Sequence, residues 1–261
     1  MKIAFIGSGK MAEALISRLP PRQVMISDID RARLKFLGKK YSVKIAAGNK
    51  EAYDEAEVVV LAVKPQQIAE VIADLKCLGK KLVVSIVAGI PLSSLQKNFP
   101  GSPVVRVMPN NPCLVGAGIS ALVKGNRVTQ GQFKQVEKIF KLVGETVVVP
   151  EKWFDAITGL SGSGPAYVYA MIEALIEGGK RNGLPGELAK KLTLQTVYGA
   201  AMTALISRVE PGKLREMVTS PGGTTMEGLA VLKDRKVSEA FAAAVLAAAR
   251  KSKLLGKQWA N

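Results

Sequence analysis

The pattern of apolar and polar positions changes its character near residue 150 of this 261-residue chain. Before that point, short apolar runs alternate with amphipathic stretches, and the runs predict strands at 2–6, 23–27, 57–63, 82–87, 103–107 and 145–149. Helices are predicted between the strands, notably over 65–78 and 129–143. Several of the runs are apolar throughout, which is typical of parallel strands buried on both faces. We therefore expect a parallel sheet that is covered by helices on both sides.

Beyond residue 150 the strand pattern stops, and one helical segment follows another. The segment from Phe154 to Asn182 is long, apolar and rich in glycine and alanine. Small side chains let helices pack closely, so this segment predicts a subunit interface. The chain as a whole is expected to hold an α/β domain over 1–150, followed by an all-α dimerisation domain over 151–261.

The first predicted strand leads directly into a glycine turn, Gly7-x-Gly9-x-x-Ala12, and a helix is expected to begin near Lys10. Gly7 permits a tight turn, and Gly9 lets the backbone approach a pyrophosphate. The small side chain of Ala12 lets the helix pack closely on the strand, and the helix N-terminus offers free N–H groups to phosphates. Residues 1–150 are therefore predicted to form a Rossmann-like dinucleotide-binding domain.

Asp28 ends the second predicted strand, about 20 residues after the glycine turn, where an acidic residue meets the adenosine ribose. Its carboxylate can accept hydrogen bonds from both ribose hydroxyls of NADH, whereas it repels the 2′-phosphate of NADPH. We therefore expect a preference for NADH. Arg31 and Arg33 follow along the loop and would offset part of this repulsion, so NADPH stays open as the cofactor.

The composition narrows the classes of function. With 48% hydrophobic residues the chain can bury a substantial core, and no apolar run approaches the ~20 residues that a membrane span needs. The net charge is +16, but the lysines are dispersed and aromatic residues make up only 5%. Nucleic-acid binding is therefore not expected, and a general attraction for anionic ligands is the expected effect of the charge.

Scarce residue types also exclude some chemistry. The chain has no histidine, and its two cysteines, Cys77 and Cys113, lie in different predicted elements. Neither a zinc site nor a disulfide framework is expected, and catalysis must proceed without imidazole. The apolar stretch at the N-terminus is too short for a signal peptide. These features predict a cytoplasmic protein with neither a metal nor a membrane partner.

Two segments place polar groups at the ends of predicted strands. Lys64 follows a buried strand and precedes Pro65, which is expected to start a helix; the alternative is an ordinary surface lysine. Asn110 lies in a loop made rigid by two prolines, and its amide offers both donors and acceptors. Both residues would lie at the carboxyl edge of the sheet, where ligands bind in open α/β folds.

The segment over 218–227 combines glycines with hydroxyl side chains. Thr224-x-x-Glu227 predicts a capping box in which Thr224 is the N-cap of a helix, so that Thr224→Ala would cost about 1 kcal/mol of stability. Gly222 and Gly223 can present successive N–H groups to an anion. The hydroxyls of Ser220 and Thr225 would then be free beside a carboxylate pocket, although an ordinary glycine turn between helices accounts for the same residues.

Together these segments resemble the Δ1-pyrroline-5-carboxylate reductases along essentially the whole chain. The matching positions are 5–12, Asn49, 62–65, 88–90, 106–110, 159–167 and 211–225. The last of these is the most specific, because it ends in Ser220-Pro221-Gly222-Gly223-Thr224-Thr225. The resemblance implies a dinucleotide domain followed by a helical domain that interlocks two subunits, as a homodimer or a ring of dimers. It also implies that the glycine–threonine loop of one subunit helps to complete the active site of its partner.

The resemblance further implies a reaction, in which a hydride passes from NADH or NADPH to the C=N carbon of pyrroline-5-carboxylate and gives L-proline. By resemblance, the cofactor is lined by Gly7, Ser8, Gly9, Lys10, Met11, Ser27, Asp28, Asn49, Ala62, Val63, Lys64, Pro65, Ala88, Met108 and Asn110. The substrate is held by Val218, Ser220, Gly222, Gly223, Thr224 and Thr225. Among these, Thr225 is the expected catalytic residue, with its hydroxyl at the ring nitrogen. In the family a neutral or basic residue often stands where this chain has Asp28.

Two other kinds of function stay open from the sequence. A reductase of the same architecture would act on another cyclic imine or on a β-hydroxyacid, and in the second case Lys180 is the candidate acid/base. A protein of a different class would keep the fold and sense nucleotides without catalysis. Turnover of pyrroline-5-carboxylate with NADH or NADPH separates these alternatives.

Overall fold

The computed structural model describes residues 1–75 and 80–259, and the chain divides into two compact units. Met1–Ser163 and the residues from Leu246 onward form the first unit, and Gly164–Val245 forms the second. By internal contacts the chain therefore divides after Ser163, and its last helix returns to the first unit. The sequence limits of 1–150 and 151–261 stay a prediction.

In the described part of the first unit, eight strands form one sheet. They are β1 (Ile3–Ile6), β2 (Val24–Ser27), β3 (Lys44–Ile45), β4 (Val58–Leu61), β5 (Leu82–Ser85), β6 (Val104–Met108), β7 (Gly118–Lys124) and β8 (Gly144–Val148). Their order across the sheet is β3-β2-β1-β4-β5-β6-β7-β8. All neighbouring pairs are parallel except β6 and β7, which are antiparallel. The predicted α/β fold is confirmed.

Helices connect the strands and continue through the second unit. The first unit contains α1 (Lys10–Ile16), α2 (Arg31–Tyr41), α3 (Asn49–Glu55), α4 (Ile68–Leu75), α5 (Leu92–Asn98), α6 (Gln130–Lys141) and α7 (Phe154–Ile157). The second unit contains α8 (Gly164–Arg181), α9 (Gly186–Ser207), α10 (Pro211–Met217) and α11 (Thr224–Asp234). The last helix, α12 (Val237–Lys257), begins in the second unit and ends in the first.

The apolar runs of the sequence are explained by two hydrophobic clusters, one on each face of the sheet. Along β1, Ile3 and Phe5 belong to one cluster, whereas Ala4 and Ile6 belong to the other. Helices α1, α2 and α6 contribute to the first cluster, and α3, α4 and α5 contribute to the second. Every side chain of β1 is therefore buried, as expected of a strand with helices on both sides.

The ends of three strands lie level with one another. Ile6, the last residue of β1, pairs with Ser27 of β2 and with Leu61 of β4. The residues that follow these strands therefore meet at one edge of the sheet, and this edge carries the candidate site.

The sequence pattern missed two strands, β3 and β7. β3 has only two residues, both exposed at the edge of the sheet. β7 contains Gly118 and Ser120 among its apolar residues, so it does not form a continuous apolar run. Because β7 runs antiparallel to β6, the expectation of a wholly parallel sheet is wrong.

Pro65 does not start a helix, since it lies in a turn and α4 begins at Ile68. The end of the helix predicted over 65–78 lies outside the described residues.

The long segment predicted over 154–182 is interrupted. After α7, a π-helical turn spans Thr158–Gly162, and α8 then begins at Gly164.

The second unit buries very little of its apolar surface. Among its described residues only Ala189 and Thr193 are buried, while large apolar side chains are exposed on α9, including Leu205 at 73%.

A partly buried ion pair ties the segment after β8 to the sheet. Arg106 of β6 is 3% exposed and donates a hydrogen bond to Glu151, which also accepts the N–H of Leu92 at 3.0 Å. The Arg106 guanidinium lies 3.8 Å from the centroid of the Phe154 ring. Burial lowers the pKa of Arg106, and the Glu151 carboxylate offsets part of that effect. The pair therefore fixes the start of α7 and the loop before α5 in one place.

Thr129 caps a helix, whereas Thr224 does not. Thr129 is the N-cap of α6, where its hydroxyl accepts from the N–H of Gln132 at 3.2 Å and its own N–H donates to Oε1 of Gln132 at 2.9 Å. The capping box predicted at Thr224 is absent, because the N-cap of α11 is Gly223 and no side chain caps the helix. The extended backbone of Gly223 makes Thr224 the first helical residue, so its hydroxyl cannot serve as the cap.

We expect Thr129→Ala to lower the free energy of unfolding by about 1 kcal/mol, because it removes a capping box. Thr224→Ala is the matched control and should change the free energy of unfolding by less than about 0.5 kcal/mol, as exposed substitutions away from caps usually do. Urea unfolding at one fixed protein concentration measures both values. Equal losses in the two variants would contradict this assignment of the caps.

Candidate functional site

A cavity of about 440 Å³ opens at the edge where β1, β2 and β4 end. Its lining comes from the turns after these strands and from the first turns of α1 and α2, and comprises Gly7, Gly9, Lys10, Asp28, Ile29, Asp30, Arg33, Ala62, Val63, Lys64 and Gln67. A smaller cavity of about 100 Å³ shares part of this lining and adds Ile6, Asn49, Glu70, Val71 and Asp74. Seven of the predicted cofactor residues, Gly7, Gly9, Lys10, Asp28, Ala62, Val63 and Lys64, line the larger cavity.

The two glycines of the turn serve different purposes. Gly7 has φ +96, and a Cβ on it would lie 2.6 Å from the carbonyl carbon of Ala62. Both the backbone conformation and the neighbouring chain therefore exclude a side chain at position 7. Gly9 has open space within 4 Å of where its Cβ would be. It is the N-cap of α1 without a side-chain cap, so it leaves the cavity open in front of the first turn of the helix.

Asp28 forms a fixed negative wall of the cavity. Its Oδ2 accepts from the N–H of Ser8 at 2.6 Å and from the Ser8 hydroxyl at 2.7 Å, and its Oδ1 accepts from the N–H of Asp30 at 2.9 Å. Burial by itself would raise the pKa of Asp28, but these hydrogen bonds together hold the pKa below its ordinary value. The carboxylate is therefore ionised and oriented before any ligand arrives.

Ser8 supports the wall of the cavity. It is fully buried, and both its hydroxyl and its N–H are directed to Asp28. Its side chain therefore fixes the wall of the cavity instead of lining it. Met11 packs against the hydrophobic cluster of the sheet, and the cofactor roles of Ser8 and Met11 stay predictions.

Arg33 lines the cavity but is held from two sides. Its Nε donates to the carbonyl oxygen of Ser8 at 2.9 Å, and one of its terminal nitrogens donates to Oε2 of Glu13 at 2.6 Å. Arg31, the other arginine considered for a phosphate, is exposed and lies 3.4 Å from the carbonyl oxygen of Ala47. Of the two arginines, only Arg33 lines the larger cavity.

Glu13 is a functional candidate that the sequence reasoning missed. Its side chain is 10% exposed, and it accepts hydrogen bonds from Arg33, from Lys40 at 3.0 Å and from the Tyr41 hydroxyl at 3.0 Å. Burial opposes the charge, but these donors lower the pKa of Glu13 from 4.5 to about 2. The available signal was a carboxylate within the apolar run of α1, between the buried residues Ala12 and Ala14.

The remaining cofactor candidates lie at several strand ends. Ser27 donates its hydroxyl to Oδ1 of Asn49 at 2.8 Å, and Asn49 donates to Asp74 at 3.2 Å. Pro65 follows Lys64 in the turn before α4. Ala88, Met108 and Asn110 follow or end β5 and β6 and do not line either cavity described above. The amide oxygen of Asn110 accepts from the N–H of Ile119 at 2.9 Å, so it fixes the start of β7.

The substrate candidates belong to the loop between α10 and α11 in the second unit. Gly222 has φ +70, which favours glycine, and a Cβ on Gly223 would lie 2.5 Å from the Ser220 hydroxyl, so a side chain at position 223 would require Ser220 to move. Val218, Ser220, Thr224 and Thr225 are exposed. Within the described part of the chain, no hydrogen bond engages the hydroxyls of Ser220, Thr224 or Thr225. The loop therefore presents free hydroxyls beside the N–H groups of the first turn of α11.

Two further residues considered in the sequence, Lys180 and Cys113, have simple environments. Lys180 pairs with Glu177 at 3.0 Å on the exposed face of α8. Cys113 is buried and free, whereas Cys77 lies outside the described residues.

A cytoplasmic location stays a prediction. No helix in the described ranges is long and apolar enough to cross a membrane.

Comparison with known proteins places these features in one family. A family model described as pyrroline-5-carboxylate reductase dimerisation matches residues 151–255, and one described as coenzyme F420-dependent NADP oxidoreductase matches residues 2–89. The chain is 43% identical over 265 residues to a pyrroline-5-carboxylate reductase of Synechocystis sp., covering 99% of both proteins.

Two solved structures agree over nearly the whole chain. The pyrroline-5-carboxylate reductase of Coxiella burnetii is 37% identical with a TM-score of 0.87, covering 97% of this chain and 98% of that one. The Plasmodium falciparum pyrroline carboxylate reductase, solved with NADP bound, is 33% identical with a TM-score of 0.91, covering 98% of each chain.

Proposed function

Since the chain belongs to the pyrroline-5-carboxylate reductase family, we propose that it reduces Δ1-pyrroline-5-carboxylate to L-proline with a reduced nicotinamide dinucleotide. The observation that supports this function most directly is the pairing of two features in one chain. One is the cavity behind Gly7 and Asp28, and the other is the loop from Ser220 to Thr225 with its free hydroxyls.

The cavity of the first unit fits a dinucleotide. Gly9 leaves open space at the N-terminus of α1, where a pyrophosphate is expected, and Asp28 stands at the end of β2, where a ribose is expected. Lys10 and Lys64 add positive charge to the lining. When bound, the cofactor supplies a hydride from C4 of its nicotinamide ring.

The loop of the second unit fits the substrate. The N–H of Gly223 is engaged by the carbonyl oxygen of Ser220 at 3.0 Å, so the N–H groups of Thr224 and Thr225 at the start of α11 would hold the substrate carboxylate, because helix N-termini favour anions. The hydroxyl of Thr225 would accept a hydrogen bond from the protonated imine or donate one to the product amine. A protonated imine is already electrophilic, so these groups need to position and stabilise it more than to protonate it. The reaction therefore needs no histidine.

The second unit is proposed to be the subunit interface. Its described residues bury almost nothing but Ala189 and Thr193, while Leu192, Leu205 and Ile206 are at least half exposed. Such a surface is typical of helices that are covered by a second copy. We propose a homodimer or a ring of dimers.

NADH is proposed as the preferred cofactor. The Asp28 carboxylate would repel a 2′-phosphate by several kcal/mol at about 4 Å and an effective dielectric of about 20, before salt screening. Arg33 offers limited compensation, because Glu13 and the carbonyl oxygen of Ser8 already engage it. Repulsion is therefore the larger effect.

We expect Thr225→Ala to lower kcat/KM about ten- to a hundred-fold, because it removes one hydrogen bond to a charged group, worth about 1.5–3 kcal/mol. Cofactor affinity should change little. The assay follows the loss of NADH or NADPH absorbance with pyrroline-5-carboxylate. Thr225→Ser keeps the hydroxyl and is the control that should retain most activity. An unchanged kcat/KM in Thr225→Ala would remove Thr225 from the mechanism.

We expect the protein to sediment as a dimer or a larger assembly at micromolar concentration, because the exposed apolar helices need a partner. Analytical ultracentrifugation across a dilution series measures this, with activity followed in the same samples. A fully active monomer would contradict the proposed interface.

We expect the wild type to have the higher kcat/KM with NADH while keeping measurable activity with NADPH. Asp28→Ser should shift the ratio of the two values toward NADPH, since the repulsive carboxylate is gone. Because both kcat/KM values come from the same variant, their ratio is unaffected by a loss of activity that is common to both cofactors. The unpaired Ser8 N–H in Asp28→Ser would cause a loss of this kind. A wild type that favours NADPH at physiological salt would show that the arginines outweigh Asp28.

A further inference from the structure

We propose that Glu13 is a positioning residue for cofactor specificity, which holds the Arg33 guanidinium against the carbonyl oxygen of Ser8 and so withholds it from a 2′-phosphate. This inference deepens the proposed function, since it rests on the proposal that the cavity beside Asp28 takes a nicotinamide dinucleotide.

Arg33 is the arginine placed to meet a 2′-phosphate. It lines the same cavity as Asp28, and an arginine near the end of the second strand is the group that accommodates a 2′-phosphate in folds of this kind. In this chain its Nε and one terminal nitrogen are already committed, to Ser8 and Glu13 respectively. The Arg33 side chain is only 20% exposed, and these two hydrogen bonds hold its guanidinium in place.

Glu13 has the contacts that such a role requires. It does not line the dinucleotide cavity, so it would not touch a ligand bound there and would position one only through a neighbouring side chain. Its bond to Arg33, at 2.6 Å, is the shortest of its contacts with cations, since Lys40 lies at 3.0 Å and Lys10 at 3.9 Å. The low pKa of Glu13 keeps it charged under all ordinary conditions. Arg33 is therefore paired at any pH at which the enzyme works.

Removal of the Glu13 charge should release Arg33 toward the cavity. The freed guanidinium would gain a charge-assisted hydrogen bond to a 2′-phosphate, whereas a ligand with a plain 2′-hydroxyl would gain little. The effect should therefore concern the discrimination between two ligands that differ only by this phosphate.

The test measures the binding of adenosine 2′,5′-bisphosphate and adenosine 5′-monophosphate to the full-length protein by calorimetry at physiological salt. We expect Glu13→Gln to shift the ratio of the two dissociation constants about tenfold in favour of the bisphosphate. The same substitution in an Arg33→Ala background should leave the ratio unchanged. The kcat/KM ratio for NADPH over NADH should follow the binding ratio.

Two controls separate this mechanism from general effects. Tyr41→Phe removes a hydrogen bond to Glu13 without changing the charge, and it should leave the ratio unchanged. Glu137→Gln removes an ion-paired carboxylate of α6 that does not line the cavity, and it controls for net charge. A shift of similar size in Glu137→Gln, or a Glu13→Gln shift that persists without Arg33, would show a general field effect and overturn the proposal.

A further measurement decides the question even if Glu13→Gln fails to fold. With Glu13 intact, Arg33→Ala should change bisphosphate affinity less than threefold, because Arg33 is withheld from the ligand. A tenfold loss would mean that Arg33 already binds the 2′-phosphate, and the proposal would be wrong. No shift in a folded Glu13→Gln variant would also overturn it.

Failure of the proposed function gives a different result. If the wild type binds neither nucleotide, the cavity is not the cofactor site and the inference falls with it. If the wild type prefers the bisphosphate, the NADH preference is wrong, while the Glu13→Gln ratio still decides the role of Glu13.

Discussion

The close approach of Gly7 to the backbone after β4 is the constraint on which the site depends. A side chain at position 7 would overlap the carbonyl carbon of Ala62 at 2.6 Å, and φ +96 is strained for any residue with a Cβ. Without a side chain there, the N–H of Gly7 reaches the carbonyl oxygen of Ser27, and the N–H of Ala62 reaches that of Ile6. The turns after three strands thereby share one edge, and the cavity is the space that they enclose.

A chain of polar contacts then fixes the turn in the shape that a ligand needs. Asp28 holds the N–H and hydroxyl of Ser8, the carbonyl oxygen of Ser8 holds Arg33, and Arg33 is held by Glu13. Because each charged group is satisfied inside the protein, little rearrangement is required when a nucleotide binds. Preorganisation of this kind saves the free energy of ordering a loop on binding. On the proposed function, the same contacts would determine which charges remain available to the ligand, so they would link stability to specificity at this turn.

The parts of the structure that depend on local pattern could be predicted from the sequence. The sequence predicts the buried strands β1, β4 and β5 and the glycine turn, because the residues that determine these features are close together in the chain. The antiparallel strand β7 was missed because a short mixed segment takes its strand form from pairing with β6. The cap at Thr224 was misassigned because the motif does not decide between two N-caps one residue apart, and Gly223 took the position.

The contacts of Glu13 could not have been deduced from its neighbours in the chain. Its partners Arg33, Lys40 and Tyr41 lie 20, 27 and 28 residues away, and only the packing of α1 against α2 brings them together. A helical pattern shows that a carboxylate lies among apolar residues, but the pattern does not show which cations will meet it. Functions that arise from tertiary contacts of this kind require a structure.

The loop from Ser220 to Thr225 in the second unit is exposed, which raises the question of how its side chains can contribute to a reaction. In a single chain the hydroxyl of Thr225 faces water, where a hydrogen bond to a substrate contributes little because water competes for both partners. The same bond is worth more where water is excluded and the local dielectric is low. The helices that carry this loop have too little buried surface to exclude water by themselves. On the proposed function, association of subunits therefore has to precede efficient catalysis, since it covers the apolar helices and gives the loop an environment in which its hydrogen bonds can act.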